Sequence, residues 1–298
     1  MATKLMHALI YDRYGGGAAA LKYVQVPIPI VKKDEILVKI EAASLNPLDW
    51  KLQSGIARPF SPRRFPHIPG GLAEYAVAKE KLTVVRPSEI SAAEGAGLPI
   101  AGLTAYKALT QCAGLNLDGT GEHMNILITA ASGGVGHYAV QLARLGNAHI
   151  TATCGTRNIE LVKSLGADEV LDYKSPDGAA LKSPSGRKYD AVLHCATGIP
   201  WSSFEPNLSE NGKVIDITPG PSTFVTFVLN KLTFSRKQIV PMILTPRGED
   251  LAQFVKLVKE KKLQTVIDST YPLSKAGDAW AKSMDGHATG KIIVQAYK

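Results

Sequence analysis

The chain predicts an α/β fold: a doubly wound parallel sheet of Rossmann type, preceded by a β-rich N-terminal region. Three observations predict it. The apolar run Ile126 to Ile128 enters a turn of small residues, and Val135 to Gly146 then reads as a helix. From there to Thr218, helices alternate with Val/Ile-rich strands, the pattern of a parallel sheet covered on both faces. Ahead of that turn, period-two segments are separated by glycine and proline rather than by helices.

Taken in order, Leu5 to Tyr11 is a first strand, Tyr14–Gly17 a turn, and Tyr23 to Val26 a second strand. The early glycine run leads into no helix, so it reads as a hairpin connection. Ile36, Val38 and Ile40 alternate cleanly in a third strand, which ends in Ser44–Lys51. From the residues alone, Asn46 and Asp49 belong to a capped turn. Arg58 to Gly70 is a proline-rich loop; Gly71 to Ala78 resumes as a strand, continued by Leu82 to Val85. Ser91 with Glu94 three residues on starts a helix, and Leu98 to Leu109 gives another. After the central strand–turn–helix come the strand His149 to Cys154, a helix from Ile159 to Leu165, and the strand Glu169 to Tyr173. The strand from Tyr189, a helix from Pro200 to Leu208, the strand from Gly212, a helix from Leu251 to Lys259 and a closing strand from Gly290 complete the chain.

The central turn carries the chemistry. Its spacing, Ala130-x-x-Gly133-x-x-Gly136, is a variant of the three-glycine dinucleotide fingerprint. Small residues (Ala130, Ser132, Gly133, Gly134, Gly136, with Val135 opening the helix) let backbone approach a pyrophosphate, whose charge rests on N–H groups at a helix start. The next strand ends in Cys154, Gly155, Thr156 and Arg157, with no acid until Glu160. An uncharged turn followed by a guanidinium suits the 2′-phosphate of NADP, so NADPH is the expected cofactor. The alternative for Arg157 is a solvated residue at a helix start. Ligands lie beyond the carboxyl ends of such strands, which places Cys195, Ala196, Ile217 and Thr218 beside the nicotinamide.

Composition narrows the class. The 298 residues are 45% hydrophobic and 20% charged, enough for one large or two modest globular domains. The net charge of +8 is scattered in short clusters such as Lys32–Lys33 and Arg63–Arg64, which argues against a nucleic-acid face but leaves weak attraction to anionic lipid open. Cys112, Cys154 and Cys195 show neither paired nor zinc-ligand spacing. No run reaches membrane-spanning length, and the N-terminus carries no cleavable address.

Several further motifs stand in a fixed order: Asn46–Lys51, Gly71–Tyr75, Leu98–Ala105, Ala130–Gly136, Leu165–Tyr173 and Gly286–Lys291. Together they resemble the zinc-independent quinone oxidoreductases of the medium-chain dehydrogenase/reductase superfamily, over nearly the whole chain. The resemblance implies a GroES-like β-barrel catalytic domain made of residues 1–98 and 246–298 around a Rossmann domain of residues 99–245. It implies NADPH-dependent reduction of quinones or, for the plant branch, of α,β-unsaturated carbonyls of oxidised-lipid type, without a metal. It places Asn46 and Thr104 near the nicotinamide, Gly133 to Gly136 at the pyrophosphate, and Thr156, Arg157 and Tyr173 near the adenosine phosphate. Asn46 and Asp49 are the candidate catalytic residues of the substrate cleft. Where many relatives carry a lysine after Thr156, this chain has Ile159 and Glu160, so Arg157 supplies the charge alone. His67, His194 and His287 are proton-donor candidates by residue type only, with structural or surface roles expected for each. The resemblance also implies peripheral placement at the inner chloroplast envelope and pairing of two copies near the Phe224 region.

One departure stands out. Gly70 joins Gly71 directly where the family pattern inserts strands of the barrel. The junction motivates one alternative, an NADPH-binding protein without turnover; the +8 charge and the apolar-rich stretch Phe224 to Phe234 motivate another, a peripheral membrane-associated module.

Overall fold

Residues 4–56, 58, 62 and 64–297 are described in a computed structural model. Residues 59–61 and 63 of the expected proline-rich loop (including Arg63 of the basic pair), residue 57 before it, residues 1–3 and residue 298 lie outside the described residues. The chain divides into two units. The first comprises Met1–Ile100, Pro246–Lys259 and Thr265–Lys298, and the second Ala101–Thr245 with Glu260–Gln264.

The second unit holds a six-stranded parallel sheet. Its spatial order is Gln238–Pro241, Leu208–Asp216, Tyr189–His194, Asn125–Ile128, His149–Cys154 and Glu169–Asp172. The chain starts in the middle, winds to one edge, then returns to wind to the other. Strands 125–128 and 189–194, adjacent but not consecutive, form the switch point where such sheets take dinucleotides. Ile126, Leu127 and Ile128 are fully buried, which explains why this strand reads as a continuous apolar run rather than an alternation. The helix Gly136–Leu145 covers it with Tyr138, Ala139, Val140, Leu142 and Ala143, all buried. Glu260–Gln264 joins this unit through Gln141, which accepts the Gln264 N–H at 2.8 Å and donates to the Gln264 carbonyl at 3.0 Å.

Among the described residues, the first unit has three small sheets: the antiparallel pair Leu5–Ile10 with Lys22–Pro27, the pair Glu35–Lys39 with Tyr75–Lys79, and a three-stranded sheet of Ile267–Pro272, Lys291–Gln295 and Ala42–Leu45. Its core gathers Leu9, Leu45, Leu72, Trp280, Ile292 and Val294. The helix Ala276–Asp285 brings in Trp280, whose indole N–H donates to Gln53 at 3.3 Å.

Gly70 and Gly71 both adopt left-handed backbone, φ 55° and 73°. The chain on either side of them is held by the first strand and its end, through the bridges Tyr11↔His67 and Ala8↔Ala73. A tight double-glycine turn thus closes the junction and delivers Leu72 to the core.

Local expectations differ in several places. The strand expected from Gly71 begins only at Tyr75, because the chain first turns at the double glycine. Residues 83–85 form no strand; a 3₁₀ turn at Glu80–Leu82 ends the pairing. The expected helix 98–109 is α-helical only over Leu103–Lys107, between π-helical turns Leu98–Gly102 and Ala108–Ala113. Pro99 lacks the N–H of a regular helix, which explains the irregular entry. The expected helix 200–208 stops at Phe204, because Pro206 closes the following 3₁₀ turn before the strand at Leu208. No helix of the described residues is long and apolar enough to cross a membrane.

Candidate active site

In the second unit, the turn after strand 125–128 is built by short backbone bonds. Ala130 takes a left-handed conformation, φ 49°, and its carbonyl accepts the Gly133 N–H at 2.9 Å. A Cβ on Gly136 would stand 2.4 Å from the Ala130 carbonyl oxygen and 2.6 Å from Ala131 Cα, and one on Gly133 would stand 3.2 Å from that same oxygen. Both obstacles are backbone, so the chain folds this closely only because glycine stands there. The cradle opens at the start of the ten-residue helix Gly136–Leu145, where the His137 and Ala139 N–H groups donate back to the Gly133 and Val135 carbonyls at 3.2 and 3.1 Å. It fits a pyrophosphate.

Ser132 is tied to the next strand's end by Asn158, which donates to the serine hydroxyl at 3.0 Å. At that end, Cys154 is buried, Gly155 lies under the Tyr173 ring, and Thr156 donates to the Asp172 carboxylate. Burial raises the Cys154 thiol to about 11, the Asp172 charge adding to it, so it stays a neutral wall. Thr156, Arg157, Tyr173 and Lys174 are exposed, with the Lys174 ammonium 5.9 Å from the Tyr173 ring centre. Lys174 is a cation that the reading of the sequence missed; its only signal was its place directly after Tyr173.

Around the switch point, the Thr129 hydroxyl accepts the N–H groups of Cys195 and Ala196, at 2.9 and 3.2 Å. Both lone pairs are then used, so its hydrogen goes to His194 Nδ1 at 3.1 Å, which makes Nε2 the protonated nitrogen of a neutral imidazole. Burial lowers the His194 pKa against the pull of Asp216, in keeping with that form. Burial likewise raises the Cys195 thiol. The Thr218 N–H donates to Asp216 at 2.9 Å and the Ile217 N–H to the His194 carbonyl at 3.3 Å. Cys195, Ala196, Ile217 and Thr218, each half-buried, therefore gather on one hydrogen-bonded network. Thr104 is buried in the helix Leu103–Lys107 of this unit. A separate cavity of about 650 Å³ opens at the amino ends of the strands, lined by residues including Asn116, His123, Asp190 and Lys213. It is at the opposite end from the fingerprint.

In the first unit, Asn46 precedes the helix Pro47–Ser54 and Asp49 lies in its first turn. The Asp49 carboxylate accepts the Asn46 N–H at 2.8 Å, so the turn expected at this position opens a true helix. Burial pushes the Asp49 carboxyl up to about 6, while the Asn46 N–H and the Lys291 charge act against the rise. Lys291 donates to Asn46 Oδ1 at 2.8 Å and to the Leu45 carbonyl at 3.1 Å. A Cβ on Gly70 would lie 3.1 Å from Asp49 Oδ1, so the junction turn presses directly on this carboxylate.

Of the three candidate histidines, His67 is paired through its backbone to Tyr11, and burial lowers its pKa. His194 belongs to the Thr129 network, and His287 is exposed. Among the described residues no group of three or more His, Cys, Asp or Glu is placed to hold a metal ion.

A protein-family model described as zinc-binding dehydrogenase matches residues 165–294. The metal in that description finds no donor set among the described residues. The chloroplast envelope quinone oxidoreductase homolog of Arabidopsis thaliana is 64% identical over 99% of this chain and 100% of its own length. That alignment runs over 328 positions against 298 residues here, so the relative carries residues with no counterpart in this chain. The NADPH-dependent alkenal/one oxidoreductase of Arabidopsis thaliana chloroplasts is 28% identical over 98% of this chain and 80% of its own. Among solved structures, the quinone oxidoreductase from Thermus thermophilus, also determined in complex with NADPH, superposes with a TM-score of 0.79 at 25% identity, covering 97% of this chain and all of the other. With its winding, its fingerprint turn and a full-length relative at this identity, the chain belongs to the quinone oxidoreductase family of the medium-chain dehydrogenase/reductase superfamily.

Proposed function

We propose that the protein is an NADPH-dependent reductase that delivers a hydride to the activated double bond of α,β-unsaturated carbonyls of oxidised-lipid type, or to quinones, without a metal. The observation that carries the reading is the glycine cradle at the switch point, where Gly136 has backbone at 2.4 Å from where a Cβ would be. The names of the quinone and alkenal/one oxidoreductase relatives support the substrate classes. Arg157 beside the uncharged strand end supports NADPH over NADH.

In this reading residues 99–245 bind the cofactor and residues 1–98 with 246–298 hold the substrate. A bound nicotinamide supplies the hydride. The chain's own task is positioning, which removes much of the entropic barrier to transfer. The glycine turn and helix start hold the pyrophosphate; the Thr129 network fixes the backbone of Cys195 and Ala196 as a wall. Asn46 retains an amide hydrogen for a carbonyl oxygen. A hydride at the β-carbon of an enone leaves an enolate, which takes a proton from water or a nearby hydroxyl to give the saturated carbonyl.

Two further assignments belong to the same proposal. The name of the 64%-identical relative supports a plastid setting, and the scattered positive charge supports peripheral attraction to the anionic inner envelope. The exposed apolar helix Pro221–Leu232 lies against the edge strand Gln238–Pro241, an arrangement that suits pairing with a second copy.

The test is oxidation of NADPH by the purified chain with a short enone, a long-chain lipid enone and a quinone, using NADH as control. Turnover of one class with NADPH preferred is expected. Confirmed NADPH binding without turnover of any class would leave a cofactor-binding protein instead, the reading that the Gly70–Gly71 junction favours.

A further inference from the structure

Lys291 closes the motif Gly286–Lys291, and the reductase reading gives it no task. The residue before it is fixed by backbone: Gly290 has φ +81°, and a Cβ there would stand 2.2 Å from the Val266 carbonyl oxygen. The Lys291 N–H donates to that same carbonyl at 2.8 Å. The next residue, Ile292, registers against Leu45 across the antiparallel pair, which sets Lys291 beside Asn46 although 245 residues separate them. The side chain is buried, 3% exposed, and its ammonium bonds the Leu45 carbonyl and Asn46 Oδ1.

An ammonium only donates, so the atom of Asn46 that faces it is the amide oxygen. The amide nitrogen then lies on the other side. One of its two hydrogens goes to the Ser44 carbonyl at 3.2 Å. The second is left over, on a half-buried side chain. Burying a lysine is a costly way to fill space, because the ammonium loses its hydration; an apolar side chain of similar length would fill it without that loss. Fixing the orientation of an amide is a task that an apolar side chain does not perform.

We propose that Lys291 is a positioning residue, which locks the Asn46 amide oxygen-inward so that its remaining N–H is presented to a carbonyl oxygen of the bound reactants. That oxygen belongs either to the unsaturated carbonyl substrate or to the carboxamide of the nicotinamide. The inference rests on the reductase reading and deepens it. Burial pulls the Lys291 ammonium down to about 8, and the Asp49 charge pulls it back up, so the donor stays largely charged at neutral pH.

The experiment compares wild type, Lys291→Met, Lys291→Arg, Asn46→Ala and the double variant Lys291→Met/Asn46→Ala. It measures kcat and KM with an enone and a quinone, NADPH affinity by cofactor fluorescence, and the side-chain amide resonances of Asn46. Lys291→Met is expected to keep its fold and lose about tenfold or more in kcat/KM, the size of effect of losing a charge-assisted hydrogen bond. Lys291→Arg should recover part of the loss. In the Asn46→Ala background the methionine should cost nothing further, an outcome that a purely structural lysine would not produce. A drop in kcat with unchanged NADPH affinity assigns the contact to the substrate carbonyl, and weakened NADPH binding assigns it to the carboxamide. Wild-type kcat/KM in Lys291→Met, or losses that add in the double variant, would overturn the proposal. So would Asn46 amide resonances that do not move on Lys291→Met, a readout that holds even where wild type turns nothing over. An inactive wild type would count against the reductase reading alone.

Discussion

In the proposed cofactor site, Gly136 and Arg157 would act on the same ligand through different physics. Gly136 is a steric requirement, since the atoms around its missing Cβ are backbone and move only together with the turn. Gly136→Ala is expected to cost about 1–3 kcal/mol of stability from forced backbone shifts. It should also weaken NADPH binding by more than tenfold, which calorimetric titration and a melting curve would separate. Arg157, exposed just past a strand end, would contribute by charge. Arg157→Ala is expected to lower NADPH affinity about tenfold, one charge-assisted contact, while leaving NADH affinity unchanged. Equal loss for both cofactors would show that it does not read the 2′-phosphate. These two residues were legible in the sequence because glycine spacing and strand ends are local patterns. The Asn46–Lys291 contact was not, since no local pattern reports which strand will lie beside another. Lys291 was visible only as the end of a motif. Lys174 escaped because exposed lysines are common, and only the fold places it against Tyr173.

At the scale of elements, the edge strand Glu169–Asp172 carries a pH dependence. Burial alone would raise Glu169, but the Ser185, Ser183 and Thr151 hydroxyls and the Ser185 N–H hold it at about 2. Its folded pKa lies below the ordinary value near 4.5, so its contribution to stability is complete above that value and is lost as pH falls toward 2. Acid unfolding of the protein should therefore steepen between about pH 4.5 and 2, and Glu169→Gln should flatten that slope. The helix Ala276–Asp285 makes a second prediction. Trp280→Ala empties the centre of the first unit's core, and is expected to cost about 3–5 kcal/mol in denaturant melts. That helix was not read from the sequence at all. Lys275, which caps it without a side-chain bond, gives no start signal, and its alanines and glycine dilute the apolar stripe. Residues 82–85 erred the other way: Leu82, Val84 and Val85 suit a strand, but no neighbour pairs with them. The parallel sheet was the most legible part, because strands buried on both faces are apolar throughout.

For the whole molecule, solvent-facing apolar area is the feature with the largest consequence. Val225, Val228, Leu229, Leu232 and Phe234 are each at least half exposed, and the first four recur at the three- and four-residue spacing of one face of the helix Pro221–Leu232. If two copies cover it, light scattering should give twice the chain mass of 31.8 kDa, and Leu232→Glu should return the monomer. A monomeric wild type would remove the pairing proposal. The basic charge acts separately: binding to anionic vesicles should fall as salt rises, since exposed charges are screened within about 8 Å at physiological ionic strength.

The double-glycine turn also makes the chain a candidate for grafting. A Cβ on Gly71 would meet nothing within 4 Å, while Leu72 and His67 on either side are anchored. The bond between the two glycines is therefore a port where new sequence would leave the surface without disturbing what holds it. Each doubling of a loop costs only about 0.6 kcal/mol of closure entropy, so an insert of some thirty residues would cost about 2 kcal/mol before making any contact of its own. Such an insert would begin against the Asp49 carboxylate, so its first residues could be chosen to pair with that charge or to shield it.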